Sequence, residues 1–164
     1  MTEPLAGLIA RHAGPGKIEA ILVRPARRAR PEPRAAAGLT VSGLDGDRAR
    51  PGKRALTLIQ AEHLPAIRAL ARAPSADFPD LRRNLVVSGL NLAALRGRTL
   101  ALGPEARIRV TGVCAPCSRM EEALGPGGYA AMRGHGGVTA EVLTPGPIAL
   151  GDPVRPPEEP PCAP

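Results

Sequence analysis

The chain has 164 residues, 43% of them hydrophobic, enough for one domain that buries about 70% of the surface its unfolded form exposes. One tyrosine, one phenylalanine and no tryptophan leave an aliphatic core and argue against the stacking platforms of single-strand nucleic-acid binders. The formal charge is +7, from 22 lysines and arginines, all arginine but Lys17 and Lys53, against 15 acidic residues; it favours a small anionic ligand, or reflects only a biased composition and an ordinary solvated surface.

Residues 1–16 read as an N-terminal extension without a signal-peptide pattern, and no apolar run approaches a membrane span, so a cytoplasmic protein is expected, with no membrane partner. Lys17 to Arg24 (KIEAILVR) is an opening strand stopped by Pro25. Pro25 to Ala37 holds four arginines and three prolines without periodicity and is predicted to be an exposed connection. A short strand at Ala37 to Val41 leads into Gly43-Leu44-Asp45-Gly46-Asp47, whose glycines mark tight turns.

Ala55 to Ile59 is a further strand, and a helix runs from Gln60 to about Ala73 with Leu64, Ile67, Leu70 and Ala71 on its apolar stripe. Pro74 and the polar stretch to Asp80 end that helix. Leu81 to Val87 (LRRNLVV) is predicted as a strand, and a helical turn follows at Asn91 to Leu95. Arg98 to Leu102, Ala106 to Gly112, Thr139 to Leu143 and Ile148 to Val154 complete a set of short strands, so the expected fold class is mainly β with a few helices, a β-barrel-like single domain over 17–154. The Pro-rich segment 155–164 is predicted to be a disordered tail.

Chemistry concentrates in Val113 to Gly137, which reads as a functional loop system. Cys117 follows a proline and precedes Arg119 by two residues, a setting in which a cation can favour the thiolate, the nucleophilic and metal-binding form. The spacing of Cys114 and Cys117 also fits a thioredoxin-like redox pair or half a zinc site, but no βαβ pattern surrounds it and the third cysteine, Cys162, lies in the tail. A buried structural cysteine is the plainest alternative.

In the predicted strand, alternation puts Arg82 and Asn84 on one face and Arg83 on the other. An inward arginine and amide imply a polar ligand, or an ion pair with an acid such as Asp47. Gly134-His135-Gly136-Gly137 offers successive backbone N–H groups to an anion, as nests do, though turns and a hydrogen-bonded histidine explain it as readily.

Taken in order, Gly43 to Asp47, Arg54 to Leu64 (RALTLIQAEHL), Leu81 to Gly89 (LRRNLVVSG), Ala115-Pro116-Cys117, Gly134 to Gly137 and Gly146 to Val154 resemble the MOSC family, named for the C-terminal domain of molybdenum-cofactor sulfurases. The resemblance covers roughly 17 to 154 and rests on the order of the pieces, none of which is specific alone. It implies a barrel-like fold in which Cys117 carries persulfide sulfur or ligates molybdenum, and thus serves as both catalytic residue and metal ligand. The family's Arg-x-Asn pattern maps to Arg82 and Asn84, while Lys53, Arg54, Arg119, Arg133 and His135 join them as candidate cofactor-binding residues by proximity of motif. Many relatives place a histidine shortly after the Gly-Asp turn; here the chain reads Asp47-Arg48-Ala49-Arg50.

The function implied is binding of molybdenum cofactor (molybdopterin), with sulfur chemistry or reduction of N-oxygenated substrates at Cys117, alongside a reductase partner. The alternative is a non-enzymatic persulfide carrier, charged by a pyridoxal-phosphate cysteine desulfurase, so that pyridoxal phosphate enters only through that partner. A third reading is a binding module with an unreactive Cys117.

Overall fold

The computed structural model describes residues 3–156. In chain order the first half comprises α1 (Leu5–Ala10), β1 (Gly16–Val23), β2 (Glu32–Arg34), β3 (Ala36–Thr40), β4 (Gly43–Leu44), β5 (Leu56–Gln60), α2 (His63–Ala71), α3 (Phe78–Leu81) and β6 (Leu85–Ser88). A 3-10 turn at Leu92–Leu95 follows, then β7 (Thr99–Leu102), β8 (Ala106–Val113), α4 (Ser118–Leu124), α5 (Gly128–Met132), β9 (Val138–Thr144), β10 (Gly146–Ala149) and β11 (Pro153–Arg155). No helix among the described residues is long and apolar enough to cross a membrane.

Seven strands close into a barrel in the order β11-β7-β8-β9-β5-β6-β1, because β11 pairs back onto β1 with Gly16 opposite Val154. β2 extends β1 outside the closure, and β10, β3 and β4 form a small second sheet. Every barrel pairing is antiparallel except β5 with β6. A parallel pair needs a crossover, and α2 and α3 supply it.

Hydrophobic pattern decides which strands those helices cover. β8 alternates, with Ala106, Ile108 and Val110 inside and Arg107 and Arg109 in solvent, because its outer face is bare. β5 is buried at every position, Thr57 and Gln60 included, and β6 from Leu85 to Val87, since both faces are covered: Leu58, Leu85 and Val87 fill the barrel, whereas Ile59 and Val86 pack outward on Leu64, Ile67, Met120 and Met132 of the helices. The core is thus two aliphatic clusters on either side of one sheet.

The strand predicted over Leu81 to Val87 is corrected. Phe78 to Leu81 is a helical turn closed by a capping box, in which Asp77 and Asp80 satisfy the end amides, and pairing starts only at Leu85. Arg82 terminates that turn in the left-handed region at φ 58°, a conformation uncommon for a side chain with a Cβ. The segment Ile148 to Val154 is likewise two strands in two sheets, separated by a turn through Gly151 in which Asp152 Oδ2 accepts from the Ala149 amide at 2.8 Å. Leu70, placed on the apolar stripe of α2, is exposed, and the helix stops at Ala71. Val113 to Gly137 contains two short helices as well as loops. Of the expected tail, Arg155 belongs to β11; 157–164, with Cys162, lie outside the described residues.

The glycines before β9 serve close packing. Gly137 has φ 85° and a Cβ there would collide with the Leu58 carbonyl oxygen; at Gly136 it would lie 2.6 Å from the Cys114 carbonyl oxygen. The barrel wall therefore touches this loop backbone to backbone.

Candidate functional site

β1 ends, and β5 and β6 begin, at one end of the barrel, where the loop after β8 and the start of α4 close over the opening. A cavity of about 360 Å³ lies there. Seven arginines line it, Arg24, Arg27, Arg48, Arg54, Arg82, Arg83 and Arg119, together with Thr57, Ser118 and both loop cysteines; no acidic residue is among the lining. Cys117 is exposed at the edge, in extended backbone just before α4, while Cys114 is 3% exposed at the end of β8. Both thiols are free. No cluster of three or more His, Cys, Asp or Glu side chains able to hold a metal occurs among the described residues, so the zinc half-site finds no second half.

A buried network holds this end of the barrel in shape. Asp47, its side chain fully buried, accepts from the Arg24 backbone amide at 2.7 Å and from the guanidinium Nη2 at 3.0 Å. Asn84, 1% exposed, accepts through Oδ1 from the Thr57 amide, the Thr57 hydroxyl and Arg24 Nη2, and donates through Nδ2 to Asp47 Oδ1 and the Leu22 carbonyl. Asn84 is thus a tie among β1, β5 and the Gly46 turn and lines no cavity; Asp47 pairs with Arg24 and not with Arg82.

Burial pushes the Asp47 carboxyl up, but the Arg24 side chain and amide, aided by the Ala49 amide, outweigh that and hold it below the ordinary carboxylate range. A lowered folded value stabilises the fold above the unfolded pKa of about 3.9 and withdraws that support as pH falls through the folded value. Melting temperature followed from neutral pH into acid is expected to drop for the native chain below about pH 4, and Asp47→Asn is expected to start lower but lose less over the same interval.

Arg83 is the unusual cation. At 5% exposure it donates from Nε to the Gly136 carbonyl at 2.7 Å and from Nη1 to the Leu81 carbonyl at 2.9 Å, while Nη2 is buried without a partner. No carboxylate among the described residues lies within ion-pair distance of it. Burial pushes its guanidinium below the usual range, opposed by the thiol groups of Cys114 and Cys117. Arg82 is also lowered, by burial and then by the cations Arg119, Arg24 and Arg48 crowding it. A buried, uncompensated charge costs several kcal/mol unless an anion joins it.

The left-handed turn at Arg82 explains why both neighbours line one cavity, where strand alternation would separate them. Of the residues singled out from sequence, the cavity gathers Cys117, Arg54, Arg82 and Arg119. Lys53 is exposed and contributes only its carbonyl, to the Thr111 hydroxyl. Arg133 is exposed beyond α5, and His135 packs edge-on against His63, with ring centroids 5.1 Å apart; neither lines the cavity. Arg24, Arg27, Arg48 and Arg83 were not anticipated. Their signal was weak: Arg24 ends an apolar run and Arg27 sits among arginines in a connection of no visible pattern.

A closed barrel with a cysteine at the rim of an arginine-lined opening defines a small barrel protein with a cationic cavity. The family model for the MOSC domain matches residues 10–155, and the chain belongs to that family. Among solved structures it resembles the YuaD protein from Bacillus subtilis, at 18% identity and TM-score 0.75, over 86% of this chain and 94% of that one. YiiM from Geobacillus stearothermophilus (20% identity, TM-score 0.71, 88% and 76% covered) and YiiM from Escherichia coli (21%, 0.63, 87% and 70%) share the fold. Among curated proteins none matches the sequence.

Proposed function

We propose that the chain binds a molybdenum cofactor in the cavity beside Cys117. One observation carries this reading: six of the seven lining arginines, all but Arg24, have no ion pair among the described residues, and one of them, Arg83, presents a buried N–H group without an acceptor. The cofactor's phosphate is the kind of anion such a surplus retains, and a thiolate is the kind of soft ligand molybdenum accepts. The residues present therefore fit the group. When bound, it would supply oxygen- or sulfur-atom transfer at the metal.

This chain's own residues bind and orient. Cys117 offers the sulfur ligand from the rim. Arg48, Arg54, Arg82 and Arg119 offer forked donors to phosphate, and the guanidinium fork suits that bidentate task better than an ammonium would. Arg83 neutralises charge from below, locked by two backbone carbonyls so that little ordering remains to be done on binding.

A second reading, persulfide carriage from a pyridoxal-phosphate cysteine desulfurase, draws support from the exposure of Cys117, which leaves its sulfur reachable by a partner protein. Metal analysis separates the two. Protein purified from a molybdenum-competent host is expected to hold molybdenum in near-stoichiometric amount, read by mass spectrometry of the metal. Trace metal together with a labelled persulfide on Cys117 would establish the carrier instead.

A further inference from the structure

The lining of the cavity beside Cys117 restricts the chemistry possible there. Among the described residues it holds arginines, two hydroxyl side chains and two cysteines, but no carboxylate and no imidazole. Asp47 is engaged by Arg24 and Asn84 and stands outside the lining. A nucleophile in this cavity therefore works without a general acid or base. Ester hydrolysis and peroxide reduction both expel a group that must be protonated, and a permanently charged arginine does not supply that proton. What the lining supports is the exchange of one stable anion for another.

The cations are oriented before any ligand arrives. Arg82 donates from Nη1 to the Ala29 carbonyl at 2.9 Å and from Nη2 to the Arg27 carbonyl at 3.1 Å; Arg119 Nη1 also donates to the Arg27 carbonyl, at 2.6 Å. Arg83 is 5% exposed and fixed by the Gly136 and Leu81 carbonyls, and its buried Nη2 has no acceptor. Donors so fixed stabilise charge on bound oxygens without reorganising. Of the two thiols, Cys117 is exposed at the rim and Cys114 is buried, so an entering anion meets Cys117 first. The substrate that fits is an oxyanion with a sulfur open to thiolate attack and a leaving group that needs no proton. Thiosulfate and the thiosulfonates have that composition: sulfonate oxygens for the arginines and an outer sulfur for Cys117.

We propose that the chain is a sulfurtransferase whose donor is a small sulfonate-bearing anion, thiosulfate being the simplest. The Cys117 thiolate attacks the outer sulfur, the bond from that sulfur to the sulfonate sulfur breaks, and its electron pair leaves with sulfite. A thiolate and a thiosulfate dianion thus give a persulfide anion and a sulfite dianion, and no proton, oxidant or reductant enters. The charge that leaves the outer sulfur settles on oxygens already held by guanidinium groups, which favours the cleavage. An acceptor anion such as cyanide then takes the outer sulfur and restores the thiolate. This goes beyond both functional readings, since it needs neither molybdenum nor a desulfurase, and shares with the carrier reading only the persulfide on Cys117.

The full chain, purified from a molybdenum-starved culture and supplied with thiosulfate and cyanide, tests this. It is expected to release sulfite and form thiocyanate with ping-pong kinetics, and without cyanide to carry one added sulfur on the Cys117 peptide, read by mass spectrometry. Cys117→Ser is expected to abolish turnover. Arg83→Met is expected to raise the KM for thiosulfate about tenfold. Arg54→Gln, exposed at the rim and hence neutral to folding, is expected to raise it about threefold, and it keeps the test open where the buried Arg83 variant fails to fold. Arg107→Gln, on the exposed face of β8 and outside the lining, is expected to change neither KM nor kcat. The proposal is overturned by a folded chain whose Cys117 is alkylated by iodoacetamide yet gains no sulfur from thiosulfate, by turnover that survives in Cys117→Ser, or by an unchanged KM in Arg54→Gln. A chain that thiosulfate leaves unmodified but polysulfide loads at Cys117 would sink this donor and leave persulfide carriage standing; molybdenum content decides the cofactor reading separately.

Discussion

Cys117→Ser is expected to abolish molybdenum retention in protein from a molybdenum-competent host, and Cys114→Ser to keep at least about half of it. The difference rests on placement. Both sulfurs line the cavity, but Cys117 is exposed at its rim and free to bind, whereas Cys114 is 3% exposed at the end of β8, its amide donating to the Gly137 carbonyl at 2.9 Å. Serine removes the soft sulfur and leaves a hydroxyl that is a poor molybdenum ligand at neutral pH. At Cys114 the same change puts a hydroxyl into a buried position, which costs about 1–3 kcal/mol of stability if it finds no partner, and touches no ligand. A redox pair would behave otherwise, since a disulfide cannot close with either sulfur missing. Metal content and sulfur labelling of the two variants in parallel, with circular dichroism to confirm folding, read the outcome. Equal losses in two folded proteins would falsify the single-cysteine mechanism.

What was legible in the chain was what short-range patterning writes. β8 alternates because one of its faces is wet, β5 is buried at every position because helices cover it, and both strands stand within a residue of where periodicity puts them. Barrel closure itself was readable only as a class, from many short strands punctuated by glycine and proline. Elements that lack a hydrophobic period escaped: α4 and α5 lie in a stretch whose glycines and prolines read as loop. The turn at Phe78 to Leu81 did carry a signal, the Asp77 and Asp80 capping pair, outweighed by the apolar run that follows.

The site was legible in its centre and not in its walls. Cys117 stood out by its neighbours in sequence, and Arg54, Arg82 and Arg119 accompany it in space. Arg83 was assigned to the wrong face because one left-handed residue, Arg82, breaks the alternation that the assignment assumed. Arg24, Arg27 and Arg48 reach the cavity only through long-range closure, and nothing local marks an arginine that will end beside a cysteine some 90 positions later. Asn84 is legible in sequence only as an amide within a cationic pattern, which suggests a ligand, while its observed partners, Asp47 and Thr57, are 37 and 27 residues away.

Asn84→Ala is accordingly expected to be the most destabilising single substitution at this end of the barrel. The carboxamide Oδ1 accepts from three donors and Nδ2 serves two acceptors, all within a site 1% exposed. Truncation removes every one of these bonds and leaves a void in the barrel wall. The Leu22 carbonyl and Thr57 amide lose side-chain partners inside the barrel wall, and Asp47 loses the neutral donor that shares its charge with Arg24. Each buried group so orphaned costs about 1–3 kcal/mol, and allowing for partial relaxation the total is about 3–5 kcal/mol. For a domain of this size that corresponds to a fall in melting temperature of about 10–15 °C. Asn84→Asp discriminates between shape and charge: it preserves the volume but sets a second carboxylate against buried Asp47, so its deficit is expected to be largest near neutral pH and to shrink in acid as one of the two takes up a proton. Urea unfolding of both variants, with Asp47→Asn as reference, measures the terms. A loss below about 1 kcal/mol for Asn84→Ala would mean that water replaces the amide and that the tie among β1, β5 and the Asp47 turn is dispensable.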